Sequence, residues 1–310
     1  HGILQTTHDR SLGGGWLPSQ LYRVWEYDLD AHAGALPTTP DRYCDYDAVP
    51  DTRAQYARLG EPFPASGIGG RMDMPGIVAD ATHVYLGGPG DNGHWPVVFK
   101  MSRSTCETTA HFFNVTFLAG PRAGKDTNRM NAMASTSTHL FLNYRGNILK
   151  VAKTLDPATV SVHAMRLGLD QLWWTGGGGI VLAGDGALIA SGVTGYDVFD
   201  TATMARTSYN YSLAWPHTSA YALNMGRTTV GSRAYQMLAI PPGDAVAAKK
   251  LDIRINRFAA DGTHEVCVVA GLPPYTNGTT YEAMTVDDAE AFAYIGATDK
   301  DVEYNGVESI

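Results

Sequence analysis

Short apolar runs, each broken by turn residues, follow one another along this chain and recur with a period of roughly 52 residues. Thr82-His83-Val84-Tyr85-Leu86 returns as Thr138-His139-Leu140-Phe141-Leu142, and Tyr85-Leu86-Gly87 returns as Tyr294-Ile295-Gly296. Looser copies lie between them at Ala187-Leu188-Ile189-Ala190 and Ala234-Tyr235-Gln236-Met237. Runs of this length, rich in β-type residues and bounded by Gly, Asp and Asn, read as strands.

Each copy expands into a set of strands. The first predicts strands at 74–79, 83–86 and 97–101, with a fourth at 111–118. The second predicts 130–135, 139–143, 148–151 and 160–165. In the third, Gly184-Asp185-Gly186 is a hairpin turn between 179–183 and 187–191, followed by 196–200 and 208–213. The fourth uses 220–224, 234–240, 253–258 and 266–269. The fifth has 281–286 and 292–295, and stops at 302–304 without a clear fourth strand. Residues 22–27 match the third strand of a copy, whereas 34–72, with five prolines, read as an irregular connection holding one short helix near 52–59.

This pattern predicts an all-β chain: a β-propeller of five or six four-stranded blades, closed by an N-terminal strand or cut within the last blade. The expected organisation is an N-terminal segment, 1–72, with one propeller strand and a Pro-rich connection. Propeller repeats follow at about 73–127, 128–174, 175–218, 219–280 and 281–310. The stretch from Gly195 through Asp200-Thr201-Ala202-Thr203 to Met204, and the run from Ile148 to Asp156, resemble the strand and D-x-x-T turn of WD40-like and quinoprotein-like propellers. That resemblance is to a superfamily and implies a fold alone. The Trp-Asp pairs of WD40 blades, sialidase boxes and quinone-binding Trp motifs do not occur.

Composition narrows the partners. The 310 residues are 44% hydrophobic and 17% charged, with a net charge of −8 and no basic block, which argues against nucleic acid. No apolar run is long enough for a membrane span. The chain starts at His1, which reads as processed, trimmed or the observable part of something longer. Three N-x-S/T sequons, at Asn114, Asn210 and Asn277, are candidate glycosylation sites, each near the end of a repeat. Cys44, Cys106 and Cys267 have no metal-site spacing and leave two readings open: one disulfide plus a free or intermolecular thiol, or three buried thiols.

Candidate chemistry is sparse. His1 could chelate copper through its amine and ring, but copper enzymes of that kind lack such a repeat. Gly120 to Asp126 is a poor phosphate loop, one residue short and with Asp where Ser or Thr should stand. Asp41, Asp45, Asp47 and Asp51, and the groups at Asp287, Asp288 and Glu290 and at Asp299, Asp301 and Glu303, could offer oxygen ligands to calcium, without EF-hand spacing. No other cofactor is suggested. His83 and His139, at matching repeat positions, predict a shared structural task, such as a ring-to-backbone hydrogen bond. His94-Trp95 and Trp173-Trp174 could stack on sugars, although large aromatics mainly fill wedges between blades.

The function these readings imply is a secreted, glycosylated propeller, a binding or structural module of an extracellular assembly or filament. Its partners would be proteins, copies of itself or carbohydrate, and the balance falls against an enzyme. The alternative is a carbohydrate-active hydrolase or lyase using loop carboxylates such as Asp73, Asp80 or Asp288.

Overall fold

The computed structural model describes residues 2–8, 21–28, 31, 39–47, 53–54, 57, 76–89, 96–118, 130–144, 146–166, 179–191, 195–210, 227–240, 252–269 and 280–298. Nearly all of these form strands or the turns between them. Among the described residues, helical backbone is confined to a 3-10 turn at Pro157–Thr159 and to Arg53, Ala54 and Ala57, where a short helix was expected. Among the described residues no helix is long and apolar enough to cross a membrane. The chain divides into two compact units, His1–Ala164 and Met165–Ile310.

The first unit opens with β1 (Gly2–His8), β2 (Leu21–Asp28) and β3 (Arg42–Asp47), three antiparallel strands in chain order. Next comes a four-stranded meander of β4 (Gly76–Ala79), β5 (His83–Pro89), β6 (Pro96–Ser102) and β7 (Thr108–Phe112). A second meander follows: β8 (Met130–Ser135), β9 (His139–Tyr144), β10 (Asn147–Ala152) and β11 (Ser161–Ala164).

In the second unit, β12 (Ile180–Ala183), β13 (Ala187–Ser191), β14 (Gly195–Asp200) and β15 (Arg206–Asn210) form one such sheet. Another comprises β16 (Arg227–Val230), β17 (Arg233–Ile240), β18 (Asp252–Phe258) and β19 (His264–Val269). The described part of the last is the hairpin β20 (Thr280–Val286) and β21 (Ala293–Thr298). Consecutive four-stranded up-and-down sheets are blades, and the chain has the β-propeller fold class that its repeat predicts.

Several boundaries differ from the sequence expectation. The N-terminal segment holds three strands rather than one, because β3 lies inside the stretch read as irregular. Its burial alternates, with Cys44 inward and Tyr43, Asp45 and Asp47 outward, so an outer face of aspartates disguised a strand. In the first blade the fourth strand is Thr108–Phe112, earlier than 111–118, since Cys106 turns the chain in the left-handed region at φ 62°. The fourth strand of the third blade likewise begins at Arg206. In the fourth blade the first strand is Arg227–Val230, paired to β17 through the Gly231 turn at φ 55°, whereas 220–224 lie outside the described residues, as do 302–304.

The blades are buried on both faces, which is why their middle strands read as unbroken apolar runs. Along β6, Val97, Phe99 and Met101 pack with Val84 and Leu86 of β5 against Val24 of β2 and Cys44 of β3. Val98 points the opposite way and joins Tyr85 in a second core with Leu140, Leu142, Leu149 and Val151 of the next blade. In the second unit, Ile189, Tyr196 and Val198 meet Ala234 and Phe258 of the following blade. Tyr196 lies edge-on to Phe258 there, ring centroids 5.2 Å apart.

Equivalent turns leave the third strand of three blades. Cys106, Leu155 and Met204 sit there with φ of 62°, 58° and 59°, each amide donating to a carbonyl three or four residues back. Leu155 and Met204 bury their side chains. Cys106 instead forms a disulfide with Cys44, joining the three-stranded sheet to the first blade. The bridge closes a loop across a sequence separation of 62.

Close blade-to-blade approach is secured by glycines. A Cβ on Gly76 would stand 2.5 Å from Met133 Cβ, and one on Gly186 would stand 2.4 Å from the Ala260 carbonyl oxygen. A Cβ on Gly87 would meet Met130 Sδ at 2.9 Å, on a side chain that can swing away.

Two outcomes follow for thermal or urea denaturation. Cys44→Ser should destabilise the protein by about 2–4 kcal/mol, the range for a bridge closing a long loop; an unchanged midpoint would mean that the bridge constrains nothing. Gly76→Ala and Gly186→Ala should each cost about 1–3 kcal/mol through overpacking, and Gly87→Ala distinctly less.

Candidate functional site

A set of ionisable contacts in the first unit is centred on Asp80, in the turn between β4 and β5. Asp80 Oδ1 accepts from the backbone N–H of Thr82 (2.9 Å) and of His83 (2.9 Å), and from the Thr82 hydroxyl (3.0 Å). Its Oδ2 accepts from the Tyr85 hydroxyl at 3.2 Å and from Lys153 Nζ, in the next blade, at 3.4 Å. Lys153 and Lys100 lie 5.6 and 5.9 Å from the Tyr85 ring centroid, and Lys100 Nζ donates to the Lys153 carbonyl. The Asp80 carbonyl accepts from Arg103, whose guanidinium also pairs with Glu26 of β2. One turn therefore links three successive sheets.

The electrostatics follow from these partners. Burial pushes the Asp80 carboxyl up, but the two backbone N–H groups, the Thr82 hydroxyl and Lys153 outweigh it and hold the group well below the ordinary carboxylate range. Burial, reinforced by the Asp80 charge, pushes Tyr85 up to about 12. Near neutral pH the pair is a fixed carboxylate facing a fixed phenol. Its hydrogen bonds hold the geometry of the turn.

The second unit repeats the arrangement with different residues. Tyr235 faces Arg257 across the β17–β18 ladder just as Tyr85 faces Lys100 across β5–β6. Its hydroxyl bonds to Glu290, in the β20–β21 turn, which also accepts from Arg233 at 2.6 Å and lies 3.9 Å from Arg257. The bonds from Tyr235 and Arg233 hold Glu290 below its usual range. A tyrosine, a carboxylate and cations thus stitch one blade to the next in both units.

The residues singled out in the sequence are distributed as follows. His83 and His139 do perform one shared task, but each ring bonds to the hydroxyl of the preceding threonine, at 2.8 Å, rather than to backbone. The second blade keeps the same turn with Thr136 in place of Asp80, its hydroxyl accepting from His139 N–H at 3.0 Å. Asp45 is held in a bidentate bond by Arg23, which lowers its pKa, and Asp41 accepts from the Asp28 N–H. Asp287 accepts from the N–H groups of Ala291 and Phe292. These carboxylates are engaged by protein donors, and among the described residues no three His, Cys, Asp or Glu side chains converge as a metal site.

Asn114 is exposed, in the segment after β7. Asn210 ends β15, while Asn277, Asp51, Asp73, Asp299, Asp301, Glu303, His1, Gly120 to Asp126, His94-Trp95 and Trp173-Trp174 lie outside the described residues. Cys267 is part of β19. Asp288 is exposed. Sequence reading passed over Asp197, fully buried on β14, which accepts from the Arg166 N–H at 2.7 Å and from the Ser208 hydroxyl. An Asp inside the apolar run Tyr196 to Phe199 was the available signal.

No family model and no curated protein matches this sequence. Solved structures do superpose on it. Apo AztD from Citrobacter koseri aligns over 82% of this chain and 59% of its own, with 8% identity and a TM-score of 0.43. Kluyveromyces lactis Hsv2 aligns over 73% and 59%, with 6% identity and a TM-score of 0.39. The N-terminal domain of Nup159 aligns over 83% and 60%, with 8% identity and a TM-score of 0.39. The chain spans less than two thirds of each of these structures. These likenesses carry nothing about activity, and the strand order and register described above stand independently of them.

The Asp80–Tyr85 pair sets a pH signature. A tyrosine raised to about 12 in the folded state contributes stability that is complete below its unfolded value near 10 and is lost as pH rises through 12. Thermal midpoints should therefore fall between pH 10 and 12, and Tyr85→Phe should flatten that limb. At the acid end the sign reverses: the Asp80 contribution, present above about pH 4, is lost as pH drops toward its depressed value. Asp80→Asn should lower stability at pH 7 by about 1 kcal/mol and weaken the acid dependence.

Proposed function

We propose that this β-propeller works outside the cytosol as a binding or structural module, glycosylated and part of an extracellular assembly built with protein partners or further copies of itself. The observation that carries the reading is the Cys44–Cys106 disulfide, which covalently joins two sheets of the first unit. Disulfides of this structural kind persist in oxidising compartments. The ionisable chemistry points the same way. Asp80, Asp45, Asp287 and Glu290 fix turns and seams and face protein donors. The hydrolase reading loses Asp80, one of its candidate acids, to this structural task. Exposed Tyr43 and Phe292 add apolar surface suited to contact with another protein.

Peptide mapping of natively purified protein, alkylated without reduction, tests the compartment. The expected product is a linked Cys44–Cys106 peptide pair; free thiols at both positions would overturn the reading. Sedimentation velocity across a hundredfold concentration range tests assembly, with concentration-dependent association expected. A monodisperse monomer throughout, with hydrolysis of a polysaccharide panel, would replace the module by an enzyme.

A further inference from the structure

The sequon Asn114-Val115-Thr116 lies wholly among the described residues. Phe113 and Phe117 are both buried in the core that joins the first two blades, and they pin the segment after β7 at two points. Between them Asn114 and Thr116 are exposed, with Val115 half-buried. The Phe113 N–H bonds back to the Pro96 carbonyl, and the Leu118 N–H donates to Asn147 Oδ1 of the next blade at 2.9 Å. The acceptor amide and the hydroxyl that a glycosyltransferase must read are therefore presented on an anchored stretch, and the apolar residues that build the core are not the ones the modification would displace.

We infer that Asn114 carries an N-linked glycan, an assignment that rests on the oxidising, secretory route proposed above. The chemistry is a group transfer without redox change. The Asn114 side-chain nitrogen attacks the anomeric carbon of a lipid-diphosphate-linked oligosaccharide supplied by that route. A C–N bond forms, the bond from sugar carbon to diphosphate oxygen breaks, the lipid diphosphate leaves, and the amide nitrogen gives up one proton. A bulky, hydrated glycan at this point keeps Asn114 and Thr116 in solvent, and the assembly surface then lies away from them.

Native protein is digested, treated with an amidase that releases N-glycans in heavy-oxygen water, and mapped by mass spectrometry. The expected result is conversion of Asn114 to Asp with uptake of one heavy oxygen. In protein secreted from a eukaryotic host, Asn114→Gln and Thr116→Ala should each remove one glycan's mass, whereas Thr116→Ser should retain it. The Thr116→Ala change leaves the asparagine in place, so loss of the glycan is separated from damage to folding. An unconverted Asn114 alongside a linked Cys44–Cys106 pair overturns this assignment and leaves the compartment reading standing. An unconverted Asn114 with both cysteines free overturns both.

Discussion

The first blade has to hide two apolar faces, and it does so against the sheets on either side of it. A strand such as β6 sends Val97, Phe99 and Met101 to one neighbour and Val98 to the other, so its sequence loses the polar alternation of a half-exposed strand. The rest of the architecture answers that demand. Gly76 and Gly87 stand against Met130 and Met133 of the next blade, Gly186 against the Ala260 carbonyl, and Tyr196 packs edge-on to Phe258 between two blades. The blades have no independent cores, and their stability is a property of the seams between them.

Apolar seams are non-directional, and two sheets that merely bury oil can slide. The tyrosine–carboxylate–cation stitches supply direction. Asp80 bonds to its own turn, to Tyr85 on its own blade and to Lys153 on the next, whose carbonyl accepts from Lys100, so sliding of one blade over the other breaks the bonds that Lys153 makes. Glu290 does the same with Tyr235 and Arg233. The mostly exposed ion pairs count for little singly; their value lies in fixing the relative register of surfaces that the hydrophobic effect only pushes together.

This division explains what could be read from the sequence. Strands buried on both faces were legible because their apolar runs are long relative to the turns between them, and the second blade was placed almost to the residue. Two outer strands were not: β7 and β15 are half polar, and they follow left-handed turns at Cys106 and Met204, residue types that give no turn signal. The strand β3 was hidden because Asp45 and Asp47 decorate its outer face. Asp80 was visible only as a loop carboxylate. Its role depends on Lys153, seventy-odd positions away, and a partner contributed by another sheet leaves no local pattern.

The bridge at Cys106 has a mechanical meaning. It occupies the pivot where the next two blades anchor themselves with Leu155 and Met204, and converts that pivot into a covalent latch to β3. If the chain is pulled from its two ends, the residues between Cys44 and Cys106 cannot pay out. At about 3.4 Å of contour per residue, roughly 200 Å of extension is locked away. Tension crosses the latch and bypasses the first blade's strands β4, β5 and β6, which stay shielded under load, whereas β1, β2 and β7 lie outside the locked loop and carry the force.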